Sequence, residues 1–97
     1  MIKLAGLITE KKELGGALIN KIERLTDSNN HNMARRVLAK AMGNKKLASV
    51  YGSMEEINVA LGHLPPELSK LRNKLDKDLF KQAKKTYSDY DVIHGVF

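Results

Sequence analysis

The chain contains no cysteine. That excludes disulfides, thiolate catalysis and cysteine-ligated zinc, and it suits a reducing compartment. No apolar run approaches the roughly 20 residues of a membrane span. The opening MIKLAGLITEKK turns charged too soon for a signal peptide. Strand signals are scarce: there is no sustained alternation and no Asn-Gly or Asp-Gly turn between apolar runs. Aromatic residues are few, namely Tyr51, Phe80, Tyr87, Tyr90 and Phe97. Catalytic signatures are missing too, with no Gly-rich phosphate loop, no nucleophile elbow and no H-E-x-x-H. These absences predict a soluble, cytoplasmic protein that is not an enzyme and carries no cofactor.

What the chain does have is helical spacing and positive charge. Its 97 residues suit a single helical domain with one core. The hydrophobic fraction of 42% and charged fraction of 29% fit a folded chain, not a disordered one. The net charge is +6. It is unevenly spread: residues 27–52 hold five basic groups against one acidic, and residues 65–86 hold seven against three. Between them, residues 53–64 carry only Glu55 and Glu56 as charged groups. Such a balance favours acidic partners: nucleic acid, an acidic protein face or an anionic membrane surface.

The apolar periodicity predicts an all-α bundle of four to five helices. A first helix over about 10–25 follows from Leu14, Leu18, Ile22 and Leu25, with Thr9 as cap. Gly15 and Gly16 inside that pattern suggest a close helix contact. Residues 2–8 form a further turn or an extension of this helix. After the polar loop TDSNNHN, Asn30 or Asn32 caps a helix over about 33–42 that ends at Gly43. Asn44 caps a short helix over 45–51, and Ser53 with Glu56 forms a capping box for another over 54–61. Pro66 opens the longest helix, 66–86, on whose inner side Leu68, Leu71, Leu75 and Leu79 recur at spacings of 3, 4 and 4. Ser88 and Asp91 signal a last turn before Gly95, and Val92, Ile93, Val96 and Phe97 are expected to dock on the core or to bind a partner protein.

Four features are candidates for function. Lys70, Lys74, Lys77, Lys81 and Lys84 recur at spacings of 4, 3, 4 and 3. On a helix they form a stripe about 21 Å long, suited to a phosphate backbone. The alternative is a solvated face, with Asp78 pairing to Lys74 and Lys81. The stretch ARRVLAKAMGNKKLASVYGSMEEI is the second. Its Ala39 and Gly43 have the spacing of a helix-turn-helix, but Asn44 and Ser49 stand where apolar residues are usual, and Gly52 and Ser53 are expected to cut the second helix short. Were it a DNA reader, Lys45, Lys46 and Ser49 would face the groove and Arg35 and Arg36 the phosphates, with Lys40 beside them.

Histidines are the third: His31, His63 and His94 are too far apart for a local metal motif, and the Asp91–His94 pair alone makes no metal site. Last, Tyr87 and Tyr90 follow Lys84 and Lys85, a weak form of the aromatic-and-basic arrangement on which unpaired bases stack, although core docking is the commoner use.

The opening MIKLAGLITEKK resembles the start of small uncharacterised accessory proteins of tailed phages, which begin with a Met-Lys-Leu-type stretch ending in Leu-Ile-x-Glu. The resemblance covers about ten residues. It implies a virion accessory or host-takeover protein and carries over no functional residue.

Two functions follow. The first is a basic binding module for nucleic-acid backbones, built on Arg35, Arg36, Lys40, Lys45, Lys46 and the lysine stripe. The second is a protein-interaction module acting through Val92, Ile93, Val96 and Phe97, together with the acidic patch of Glu55 and Glu56. A self-associating helical protein is a third.

Overall fold

The computed structural model describes residues 12–97. They form five helices: α1 (Gly16–Asp27), α2 (His31–Ala41), α3 (Lys45–Leu61), α4 (Pro66–Thr86) and α5 (Tyr90–Val96). Among these residues there is no strand, only one isolated parallel bridge between Lys12 and Tyr87. The fold is the all-α bundle that the periodicity predicts. No helix among them is long and apolar enough to cross a membrane.

Helix ends lie where local chemistry puts them. The Asn30 side chain accepts from the Met33 backbone N–H at 3.4 Å, and that of Asn44 from Leu47 N–H at 3.1 Å. Each satisfies one of the donors that a helix start leaves open. Asn32, the alternative cap, lies inside α2 and is buried. Gly43 and Gly62 follow α2 and α3 with φ of 81° and 76°, left-handed positions that favour glycine. Pro65 precedes α4 and Pro66 opens it.

Three expectations need correction. Helix α1 starts at Gly16, with Gly15 at its N-cap and φ of 87°. A Cβ built on either glycine meets nothing within 4 Å, so the pair makes no close helix contact, and Gly15 with its positive φ marks the change of backbone direction. Thr9 and residues 2–8 lie outside the described residues.

The expected break between 51 and 54 is also absent: α3 runs unbroken through Gly52 and Ser53. Its buried residues Leu47, Tyr51 and Met54 keep one helical face through that region. Burying Tyr51 and Met54 outweighs the roughly 1 kcal/mol that a mid-helix glycine costs. Ser53 and Glu56 therefore form no capping box.

At the C-terminus, Gly95 is helical, and the N-cap of α5 is Asp89, not Ser88. The Asp89 carboxylate accepts from Leu14 N–H at 2.8 Å, across 75 positions of chain. Beside it, Lys12 N–H donates to Thr86 O and Ser88 N–H to Lys12 O. The chain entering α1 is thus strapped to the α4–α5 junction.

One core draws on all five helices. It includes Ile22, Leu38, Ala39, Leu47, Tyr51, Leu79, Ala83, Ile93 and Val96. The apolar C-terminal stretch is part of it: Ile93 and Val96 are 0% exposed, and Val92 and Phe97 are packed against the core. Of the two expectations for these four residues, docking on the core is what the structure has, and the buried Ile93 and Val96 form no exposed protein-binding tail.

Buried apolar residues stop at Met54 in α3 and begin only at Leu79 in α4. The connecting half of the α3–α4 pair therefore stands beyond the core, with Val59, Leu61 and Leu71 exposed. The molecule is accordingly elongated, 54 × 25 × 19 Å. Its radius of gyration is 14.6 Å, against roughly 12.5 Å for a globular chain of this length.

Candidate nucleic-acid interface

The two adjacent arginines of α2 have opposite fates. Arg35 is 8% exposed. Its Nε donates to the Val96 carbonyl at 3.2 Å, Nη1 pairs with Asp76 Oδ2 at 3.3 Å, and its guanidinium lies 5.2 Å from the Phe97 ring centroid. Burial pulls its pKa below the usual arginine value, and Asp76 works against that shift. Asp76 also accepts from the Tyr51 hydroxyl at 2.6 Å and has Arg72 Nε at 3.9 Å. His31 Nδ1 lies 3.2 Å from the same Val96 carbonyl. Arg35 is thus a joint between α2, α4 and α5, not an exposed phosphate contact as the sequence suggested.

Arg36 is exposed and lies over Gly52, where a built Cβ would come 3.4 Å from its Nε. Lys40, Lys45 and Lys46 are exposed around the same turn. Ala39 and Leu38 are fully buried and Gly43 has its positive φ, as a helix-turn-helix would have them. The second helix departs from that pattern. Asn44 is its cap, Ser49 is exposed, and the inward positions are Leu47, Ala48, Tyr51 and Met54.

On α4, Lys70, Lys74, Lys77, Lys81 and Lys84 are all exposed. The reason is geometric: Lys81 lies two positions from both Leu79 and Ala83, about 200° around the helix from each. Packing Leu79 and Ala83 into the core turns the stripe outward. The expected pairing of Asp78 with Lys74 and Lys81 does not form. Among the described residues the ion pairs within 4 Å are Arg35–Asp76 and Arg72–Asp76. The stripe and the Lys45–Lys46 turn occupy different helices, which meet through the faces bearing Tyr51 and Asp76. They are two basic surfaces.

Where α4 meets α5, the structure assembles a feature that local sequence patterns do not reveal. Lys81, Lys84 and Lys85 border a recess of about 500 Å³ with Tyr90 and His94. Most of its wall is apolar, because lysine stems cover surface while their ammonium groups stay in water. Lys84 Nζ lies 4.6 Å from the Phe80 ring centroid, and Phe80 meets His94 and Phe97 edge-on at 5.0 and 5.4 Å. The two tyrosines after the lysines divide: Tyr87 is buried, which raises its pKa, whereas Tyr90 is 44% exposed. The available signal was the i, i+4 spacing of Tyr90 and His94, which shares a face only if residues 90–96 are helical.

A second recess, of about 510 Å³, is polar and lies at the start of α2, among Asn30, Asn32, Arg35, Glu55, Asn58 and Arg72. Asn32 Oδ1 and Arg72 Nε are buried there without a hydrogen-bond partner among the described residues. No group of three or more His, Asp or Glu among the described residues is placed to hold a metal.

Compared with protein-family models, curated proteins and solved structures, the chain matches none.

Proposed function

We propose that this protein is a small, basic, non-enzymatic module that works in the cytoplasm by binding nucleic-acid backbones with little sequence selectivity. The observation that carries this reading is the lysine stripe. Its five exposed ammonium groups follow one helix face, and Lys70, Lys74, Lys77 and Lys81 have no ion-pair partner among the described residues. Cations in such a row displace the counterions condensed on a phosphate backbone, and the released ions drive binding.

The test is the salt dependence of affinity for arbitrary DNA and RNA. Log K falls linearly with log salt under this reading. Replacing Lys70, Lys74 and Lys77 by Ala keeps helix propensity and lowers the slope by about 0.9 per lost duplex contact, or about 0.7 per single-strand contact. No binding at low salt ends the proposal.

A protein-interaction module, such as an inhibitor, an adaptor or a phage virion component, is the second reading. It rests on a different surface from the tail: the exposed Val59, Leu61 and Leu71 beyond the core. Absence of nucleic-acid binding favours it if sedimentation also shows concentration-dependent self-association that Val59→Asp and Leu71→Glu abolish.

A further inference from the structure

We propose that the recess between α4 and α5 seats an unpaired base stacked on Tyr90, so that the ligand is single-stranded nucleic acid. The inference rests on the backbone-binding reading and deepens it.

Three observations converge on this recess. It stands at the C-terminal end of the stripe, and Lys81 and Lys84 belong to both. A strand following the stripe therefore arrives at the recess with its phosphates already among lysines. The recess is open to solvent and mostly apolar despite three lysines on its rim. Apolar walls under a cationic rim suit a ligand that is flat and apolar at one part and anionic at the next, which is the chemistry of a nucleotide. Its volume of about 500 Å³ lies within the range of small-ligand sites.

The aromatic surface is in place as well. Tyr90 and His94 stand one turn apart on α5, on the side that meets α4. Phe80 holds the site from behind, edge-on to His94 and beneath the Lys84 ammonium. Asp89 and Asp91 flank Tyr90 in the chain but are not among the described residues that line the recess, and the Asp89 carboxylate accepts from Leu14 N–H. Bases in a duplex have their faces covered by their neighbours. Only an unpaired base offers a face to a tyrosine, and such stacking tolerates any base.

The experiment compares three probes of equal length by fluorescence anisotropy at one salt concentration. They are oligo(dT) of about twelve nucleotides, an abasic phosphodiester strand and a DNA duplex. The wild-type protein binds oligo(dT) on the order of tenfold more tightly than the abasic strand. Tyr90→Ala removes that difference and leaves abasic affinity and the salt slope unchanged. Tyr90→Phe, which keeps the ring, retains the preference. Circular dichroism melting reports folding of each variant.

Equal affinity of the wild type for oligo(dT) and the abasic strand overturns the inference and leaves backbone binding standing. So does a Tyr90→Ala loss that is the same on both probes. Absence of binding to every probe at low salt overturns both readings together.

Discussion

At the scale of single residues, the decisive group is Asp76. It takes the Tyr51 hydroxyl on one oxygen and Arg35 on the other. Without it, a buried guanidinium loses its counter-charge while its desolvation cost remains. Asp76→Ala should therefore destabilise the fold by about 3 kcal/mol, read as a loss of chemical-denaturation midpoint. Arg35→Met together with Asp76→Leu should recover only part of that loss, since an apolar pair needs no counter-charge but still leaves the Tyr51 hydroxyl without its acceptor.

Tyr51 also sets a limit at alkaline pH. Burial, and then its hydrogen bond to Asp76, raises its pKa well above the free-tyrosine value. Its folded form keeps its proton after the unfolded chain has lost it, so the unfolded state binds fewer protons there. Stability is full below about pH 10 and falls as pH rises beyond it. Tyr87, whose pKa burial also raises, acts in the same direction. Thermal melting across pH 8 to 11 should show a declining Tm above about pH 10, with a shallower decline in Tyr51→Phe.

At the scale of elements, α3 is the instructive case. Its local signals, Gly52 and the Ser53–Glu56 pair, argue for a break. Its buried face runs through them without interruption. Since Gly52 is helical and meets only the far end of Arg36, Gly52→Ala should stabilise the protein. The expected gain is about 0.5–1 kcal/mol, a rise in Tm of a few degrees for a chain of this size. Gly62, by contrast, has φ of 76°, and Gly62→Ala should cost about 1 kcal/mol. Opposite signs at two glycines of one helix distinguish an interior position from a stop. The ends of helix α4 present no such conflict, although Leu71, expected on its inner side, is exposed where the helix runs beyond the core. Pro66 at its first position and leucines at helical spacing point to the same boundaries that the structure has. The lysine stripe was legible for the same reason, because it is the complement of the leucine face.

At the scale of the whole molecule, the C-terminal residues close the core. Ile93 and Val96 are completely buried, and the Val96 carbonyl receives Arg35 and lies beside His31. Removing residues 92–97 should therefore abolish the cooperative melting transition. Truncation of one such buried side chain alone costs about 2–5 kcal/mol, a large share of the stability of a small domain. A truncated chain that still melts cooperatively would place these residues outside the core. The elongated shape carries the stripe along one side of the molecule, and the net charge of +6 acts at a distance through it. Under the proposed backbone-binding function, association with nucleic acid should accordingly be fast at low salt and slow steeply as salt is added, measurable by stopped-flow mixing.

The sequence by itself determined the helical class, the cap at Asn44, the stops at Gly43 and Gly62, and the orientation of the lysines on α4. These depend on neighbours within a few positions, where periodicity and capping chemistry act. Tertiary structure decided which of two adjacent arginines is buried, whether the apolar C-terminal stretch faces core or solvent, and which of two tyrosines stands beside three lysines. Those outcomes depend on partners far away in the chain: Asp76 for Arg35, and Leu14 for the Asp89 that begins α5. Burial is settled by the competition among all apolar faces for one core, and no local pattern records its result.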